Sequence, residues 1–145
     1  MALTKHYSPS EVLVSFGGKI LSGFAAGTFV KVERNEDAFK LEVGSDGRGC
    51  KIYNPNKSGT VEVTLTQESD DNAYLTMLAH ADEMARGLAS QYLYVQDGFG
   101  GSNAVAAEAW CRKMPSLERG GVDAHANVVW VFETLDLTSE LAGNV

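Results

Sequence analysis

Apolar and polar residues alternate with a period of two along much of the first half of the chain. Val12, Val14 and Phe16 alternate within residues 11–16 until Gly17-Gly18 breaks the run, and residues 20–24 form a second short apolar piece closed by Gly27. In residues 28–33, Phe29, Lys31 and Glu33 oppose Val30 and Val32. In residues 38–43, Phe39, Leu41 and Val43 oppose Lys40 and Glu42. The clearest strand covers residues 60–67, with Val61, Val63 and Leu65 on one side and Glu62, Thr64 and Thr66 on the other. This period belongs to half-buried strands, and β-branched residues favour them. Further strands are expected at 50–53, 91–95 and 127–135, the last holding Val129, Trp130, Val131 and Phe132.

One segment has helical periodicity. Ser69, Asp70, Asp71 and Asn72 offer caps and acids for the positive end of a helix dipole, and Gly87 follows as a C-terminal stop. The spacing predicts a helix over about 70–86 whose stripe of Tyr74, Met77, Leu78, Ala81 and Ala85 packs on the sheets. Residues 104–112 are ambiguous. Their alanines, Glu108 and Arg112 favour helix by propensity, whereas their place between a Gly-rich turn and Pro115 allows a strand. Residues 138–145 read as a tail, and 44–58 as a long loop.

Composition narrows the class. The chain has 145 residues, 44% of them hydrophobic, and a net charge of −7. That length suits one domain, 1–145, with about two-thirds of its unfolded surface buried. The acidic balance disfavours a nucleic-acid binder that works through a basic surface. No run is apolar enough to cross a bilayer, and no export signal opens the chain, so Cys50 and Cys111 are expected as reduced thiols in a cytoplasm. Charge is uneven: residues 68–99 carry six acids and one base, whereas 46–67 carry three bases and two acids.

The motifs assemble no catalytic constellation. Gly98, Gly100 and Gly101 follow a strand, but Asn103 occupies the place of the third fingerprint glycine, so a hairpin turn is the better reading. His6, His80 and His125 are scattered and belong to no nucleophile–base set. Trp110 and Trp130 could serve a small β-sandwich as a ligand platform, although packing is the commoner role. No catalytic, cofactor or metal site is expected. A structural or interaction protein remains.

The order of short motifs then resembles a known family. Tyr7-Ser8-Pro9-Ser10-Glu11-Val12 leads into Val14-Ser15-Phe16-Gly17-Gly18 and Leu21-Ser22-Gly23-Phe24. Gly27-Thr28-Phe29-Val30, Arg34, Glu36-Asp37, Phe39, Val43-Gly44 and Asp46-Gly47 follow. Gly59-Thr60-Val61-Glu62-Val63-Thr64-Leu65, Ala109-Trp110 and Trp130-Val131-Phe132 complete the series. Over roughly residues 7–135 this resembles the tail tube proteins of contractile-tailed bacteriophages. The Ala-rich stretch 105–109 departs from the pattern.

The resemblance implies a mainly β fold: two packed antiparallel sheets, as a sandwich or flattened barrel, flanked by the helix and carrying flexible terminal arms. It makes 104–112 a strand. It implies hexameric rings of this chain stacked into a hollow tube inside a sheath, between baseplate initiator and terminator proteins. Such a virion tail component is assembled in the host cytoplasm. DNA passes along its lumen without specific binding, and the monomer does not insert into membranes. Tubes of tailocins and type VI secretion devices share the fold. On this reading Glu62, Thr64 and Thr66 line the lumen, or face the sheath if their strand lies in the outer sheet. Arg48, Lys51 and Lys57 in the 44–58 loop would meet acids such as Glu68, Asp70 and Asp71 of another subunit.

Overall fold

The computed structural model describes residues 4–123 and 125–143. A 3-10 turn, Pro9–Glu11, leads into β1 (Val12–Phe16) and the short β2 (Lys19–Ile20). Then come β3 (Val30–Arg34), β4 (Phe39–Val43), β5 (Gly49–Tyr53) and β6 (Gly59–Thr66). Helix α1 (Asp71–Met84) precedes β7 (Gln91–Asp97), β8 (Asn103–Cys111), β9 (Asn127–Thr134) and β10 (Thr138–Glu140). The architecture is mainly β with one helix and two antiparallel sheets, as the sequence led us to expect. The large sheet runs in the order β2-β1-β7-β8-β9-β6-β3, with β10 beside β8, and the small one is the hairpin β4-β5.

The large sheet curls so that its apolar face closes on itself, without becoming a barrel. Phe16 of β1 and Phe132 of β9 have two strands, β7 and β8, between them in the sheet, yet their ring centroids are 4.5 Å apart across the core. Such an aromatic pair adds about 0.5–1.5 kcal/mol beyond its burial. Val61, Val63 and Leu65 of β6 join Trp130, Leu93 and Val14 in the same cluster, all essentially inaccessible. The segment after β2 ties the two ends of the curl together. Leu21 N–H donates to the carbonyl of Val14 on β1 at 2.8 Å, and Ala25 N–H donates to that of Thr64 on β6 at 3.0 Å.

The ambiguous stretch is a strand, and the alanines explain the curl. Pairing of β7 with β8 shifts register between Gln91↔Ala109 and Leu93↔Ala106, which leaves one extra residue in β8. This bulge turns Ala107 and Glu108 both outward and bends the strand. β8 thereby changes neighbour, from β10 at Asn103–Val105 to β9 at Ala109–Cys111. Small side chains at Ala104, Ala106 and Ala109 leave room for the large aromatic rings in the cluster. The buried Thr134 hydroxyl donates to the bulge carbonyl of Glu108 at 2.8 Å.

The chain end differs from the expected tail. Thr138–Glu140 pairs in the sheet, and residues 144–145 of that tail lie outside the described residues, as do 1–3 of the N-terminal arm. The preceding Leu137 is buried against Gly59, where an added Cβ would clash with the Leu137 side chain. Its carbonyl accepts from the Arg34 guanidinium, and its N–H donates to the Lys57 carbonyl at 2.9 Å.

The helix sits one step off its predicted face. Tyr74 and Leu78 pack against the core, but Leu75 is the buried residue, whereas Met77 (58% exposed) and Ala81 turn to solvent. The Trp130 indole N–H donates to the Asn72 side chain at 3.0 Å, and the Tyr74 hydroxyl donates to the carbonyls of Phe16 and Gly17. These two polar anchors rotate the helix so that the 71–75–78 side faces inward. Asp70 holds the N-cap position without a side-chain cap bond, contrary to the capping expectation. The helix closes through Arg86, which takes the left-handed backbone (φ +54°) expected of Gly87 and donates its N–H to the Glu83 carbonyl; Gly87, at φ +88°, follows and donates to the Asp82 carbonyl.

This rotation is testable by thermal unfolding. Leu75→Ala should cost about 2–5 kcal/mol, as cavity-forming core changes do. Met77→Ala should stay within about 0.5 kcal/mol. Equal losses would mean that the helix packs on its other face.

Candidate assembly surfaces

The β4-β5 hairpin presents a run of exposed apolar residues. Its register pairs Phe39 with Tyr53, Leu41 with Lys51 and Val43 with Gly49, so these residues share one face. All ten strand residues are exposed, Leu41 and Val43 at 68% and 61%. The half-buried alternation read in the sequence is therefore present in register but uncovered in one chain. Two-stranded hairpins are marginal in water on their own. Backbone bonds from Asn35 to Ser58 and from Asn54 to Ala38 clamp the stem at 3.1 and 2.8 Å, and the Phe39 and Tyr53 rings stand 5.6 Å apart.

The stacking candidates divide accordingly. Arg48 lies in the hairpin turn and bonds Asp46 of the same turn, Nε to Oδ2 at 3.4 Å. The Lys51 ammonium lies over the Phe39 ring, 4.1 Å from its centroid, on the apolar face. Lys57 stands apart, in the return segment beside Leu137. The 44–58 segment is thus half of a hairpin plus its return, rather than an irregular loop.

Glu62, Thr64 and Thr66 all point away from the core, each half-buried among neighbouring strands. Register places Glu62 opposite Lys31 on one side and Val131 on the other, and Arg112 lies next to Val131. Glu33, Glu133, Lys31 and Arg112 share this outer face, with Lys31–Glu33 at 3.6 Å and Arg112–Glu133 at 3.7 Å. The face is a mixed-charge ladder, in which Lys31 sits directly across from Glu62, a pairing the sequence alone does not show.

The acids proposed as stacking partners behave differently from one another. Glu68 pairs with His125, Oε2 to Nε2 at 2.8 Å. Asp71 is buried, which removes it from any contact between subunits. Its carboxylate meets Lys19 Nζ at 2.6 Å, and accepts from Ser22 N–H at 2.6 Å and Ser22 Oγ at 3.1 Å. Burial opposes its charge, but the lysine and the serine donors outweigh that and hold the carboxyl below its ordinary value. The group ties the helix start to the crossing segment after β2.

The remaining candidates are structural in placement. Trp130 is core and so presents no platform to a ligand, whereas Trp110 lies half-buried on the outer face. His80 is exposed beside Glu83. Cys50 is exposed and Cys111 half-buried, both unbridged, and burial pushes the Cys111 thiol up. Among the described residues, no group of three or more His, Cys, Asp or Glu could hold a metal.

No family model matches the chain. It is 28% identical to a structural protein, ORF10, of Pseudomonas phage KPP10, over 97% of this chain and 84% of the relative. Its fold matches a chain of the tube-terminating cap of the anti-feeding prophage, at a TM-score of 0.66 over 98% of this chain and 95% of that one. It also matches chains of an extracellular contractile injection system, PVC. The sheath/tube terminator gives a TM-score of 0.60 over 96% and 99%, and the sheath–tube complex 0.62 over 97% and 95%. Identities of 8–10% make these a likeness of fold. At that level the resemblance to contractile tail tube proteins read in the sequence is borne out.

The buried carboxylate gives a pH signature. Because its folded pKa is depressed, the stability Asp71 contributes is complete above its ordinary value, 3.8, and is lost as pH falls through the folded one. Asp71→Asn should lose about 1.5–3 kcal/mol at neutral pH and show a flatter acid limb than the parent. Parallel stability curves for the two proteins would remove Asp71 from this role.

Proposed function

We propose that this chain is a structural, non-enzymatic subunit of a contractile tail, which polymerises as stacked hexameric rings into the inner tube. The observation that carries the reading is a fold shared over nearly the whole chain with tube-terminating and sheath–tube chains of contractile devices. The relationship to a phage structural protein supports a virion tail over a bacterial device. Uncovered hairpin strands and the sheet edges at β2 and β3 are what an assembling subunit presents.

In this reading neighbouring subunits join sheet to sheet around the ring, a rotation that closes. Ring-on-ring contacts through the hairpin do not close and so extend a filament. The outer face bearing Glu62, Thr64 and Thr66 lines the lumen. Its mixed charges, within a chain of net −7, offer phosphates no continuous basic track, so DNA slides through without being held. Sheath, baseplate initiator and terminator proteins are the expected partners, and assembly in the host cytoplasm precedes incorporation into the tail.

A second reading is favoured by one observation: two of the three fold relatives above come from tube-ending assemblies. A terminator stops at one ring, whereas a tube subunit continues.

Electron microscopy of the concentrated full-length protein separates them. Filaments of stacked rings are expected. Leu41→Asp, at an exposed site that leaves the fold intact, should weaken filament growth at least tenfold while its melting temperature stays that of the parent. Single rings alone would identify a terminator, and monomers at every concentration, with or without a tail initiator complex, would contradict both.

A further inference from the structure

We propose that the β4-β5 hairpin of one subunit seats its Phe39–Leu41–Val43 face in a cleft between β3 and the β7-β8-β10 side of a second copy. The inference rests on the assembly reading above and supplies the receiving surface that reading lacks. The cleft has a volume of about 540 Å³. Its walls include Val12, Val30, Val32, Val95 and Ala104, continuous with the core yet left unfilled by the described residues. It opens where β3, the last strand in the sheet order, comes opposite β10 and the start of β8. The curl stops short of closure there, so core-lining side chains are reachable from outside.

Hairpin and cleft complement each other in two independent ways. The first is apolar: four exposed residues on one hairpin face need cover, and an apolar cavity needs filling. No residue of the hairpin lines this cleft in its own chain. The second is charge. The hairpin strands and turn carry Lys40, Arg48 and Lys51 against Glu42 and Asp46, a surplus of one positive charge. The cleft is lined by Glu33, Asp97 and Glu140 against Arg34, a surplus of two negative charges. The Arg34 guanidinium is already donated to the Leu137 carbonyl, so it offers less opposition than its charge suggests. Lys51 projects over Phe39 on the inserting face, where a rim carboxylate can meet it as the rings enter. An intermolecular contact of this kind is heterologous, and repeats along a stack without limit.

Site-directed cross-linking in the full-length chain tests the docking directly. Cys50 is a native exposed thiol on β5, and Ser139 is an exposed β10 residue at the cleft. In a Cys111→Ser background, Ser139→Cys should give a ladder of covalent dimers and higher multimers with a short bismaleimide, under conditions where filaments are seen. Removing the hairpin thiol with Cys50→Ser should abolish the ladder. Ala107→Cys, exposed on the outer sheet face, should yield under a tenth of the cross-linked product. Filaments without a Ser139→Cys ladder, or with equal yields at positions 139 and 107, would overturn the docking and leave the tube reading intact. Absence of any filament or ring in the uncross-linked protein would defeat the tube reading and the docking with it.

Discussion

Everything in this molecule follows from the need of one curled sheet to bury a single apolar face. An antiparallel sheet with alternating patterning must cover that face with something. Here the sheet folds over itself, so that Phe16 on β1 meets Phe132 on β9 across the core. The curl requires a strand that bends, and β8 bends at the bulge marked by Ala107 and Glu108. It also requires a link across the open side. The chain after β2 supplies this, bonded first to β1 and then to β6 and held to the helix by Asp71.

The same geometry decides what is left over. Once the sheet has closed on its own core, it has no apolar face to spare for the β4-β5 hairpin, which stands off with Leu41 and Val43 uncovered. Nor does it quite close, so a cleft remains between β3 and β10. A monomer leaves both features unsatisfied. In the proposed assembly one is brought against the other, so that polymerisation would follow from how the chain folds rather than from a separate property of its surface.

Much of the fold was legible in the sequence because strands announce themselves by period. Val61, Val63 and Leu65 alternate inward as read, whereas the helix stops at Met84, and Arg86 rather than the expected Gly87 is the first left-handed residue after the cap. What was hidden depends on contacts between distant residues. Helical propensity in the 104–112 stretch was overridden by packing, since only small side chains fit beneath the aromatic cluster there. Met77 and Leu75 differ by half a turn, and the hydrogen bonds of Asn72 to Trp130 and of Tyr74 to Phe16 decide which is inside. Of the assembly candidates, alternation in the hairpin was visible, but its exposure on both faces was not, because period reports register and not cover. The acid cluster at 68–71 looked uniform in sequence, yet Glu68 contacts His125 at the surface whereas Asp71 forms a buried lock on Lys19.

Amide hydrogen exchange, compared between dilute monomer and assembled protein, tests the central claim most directly. In the monomer, β6 and β9 amides should be strongly protected, whereas β4 and β5 amides exchange rapidly through an uncovered two-stranded ladder. On assembly the hairpin amides should slow by orders of magnitude, with β6 and β9 unchanged. A hairpin that exchanges at the same rate in both states would contradict the account, because its apolar face would then have no partner to find.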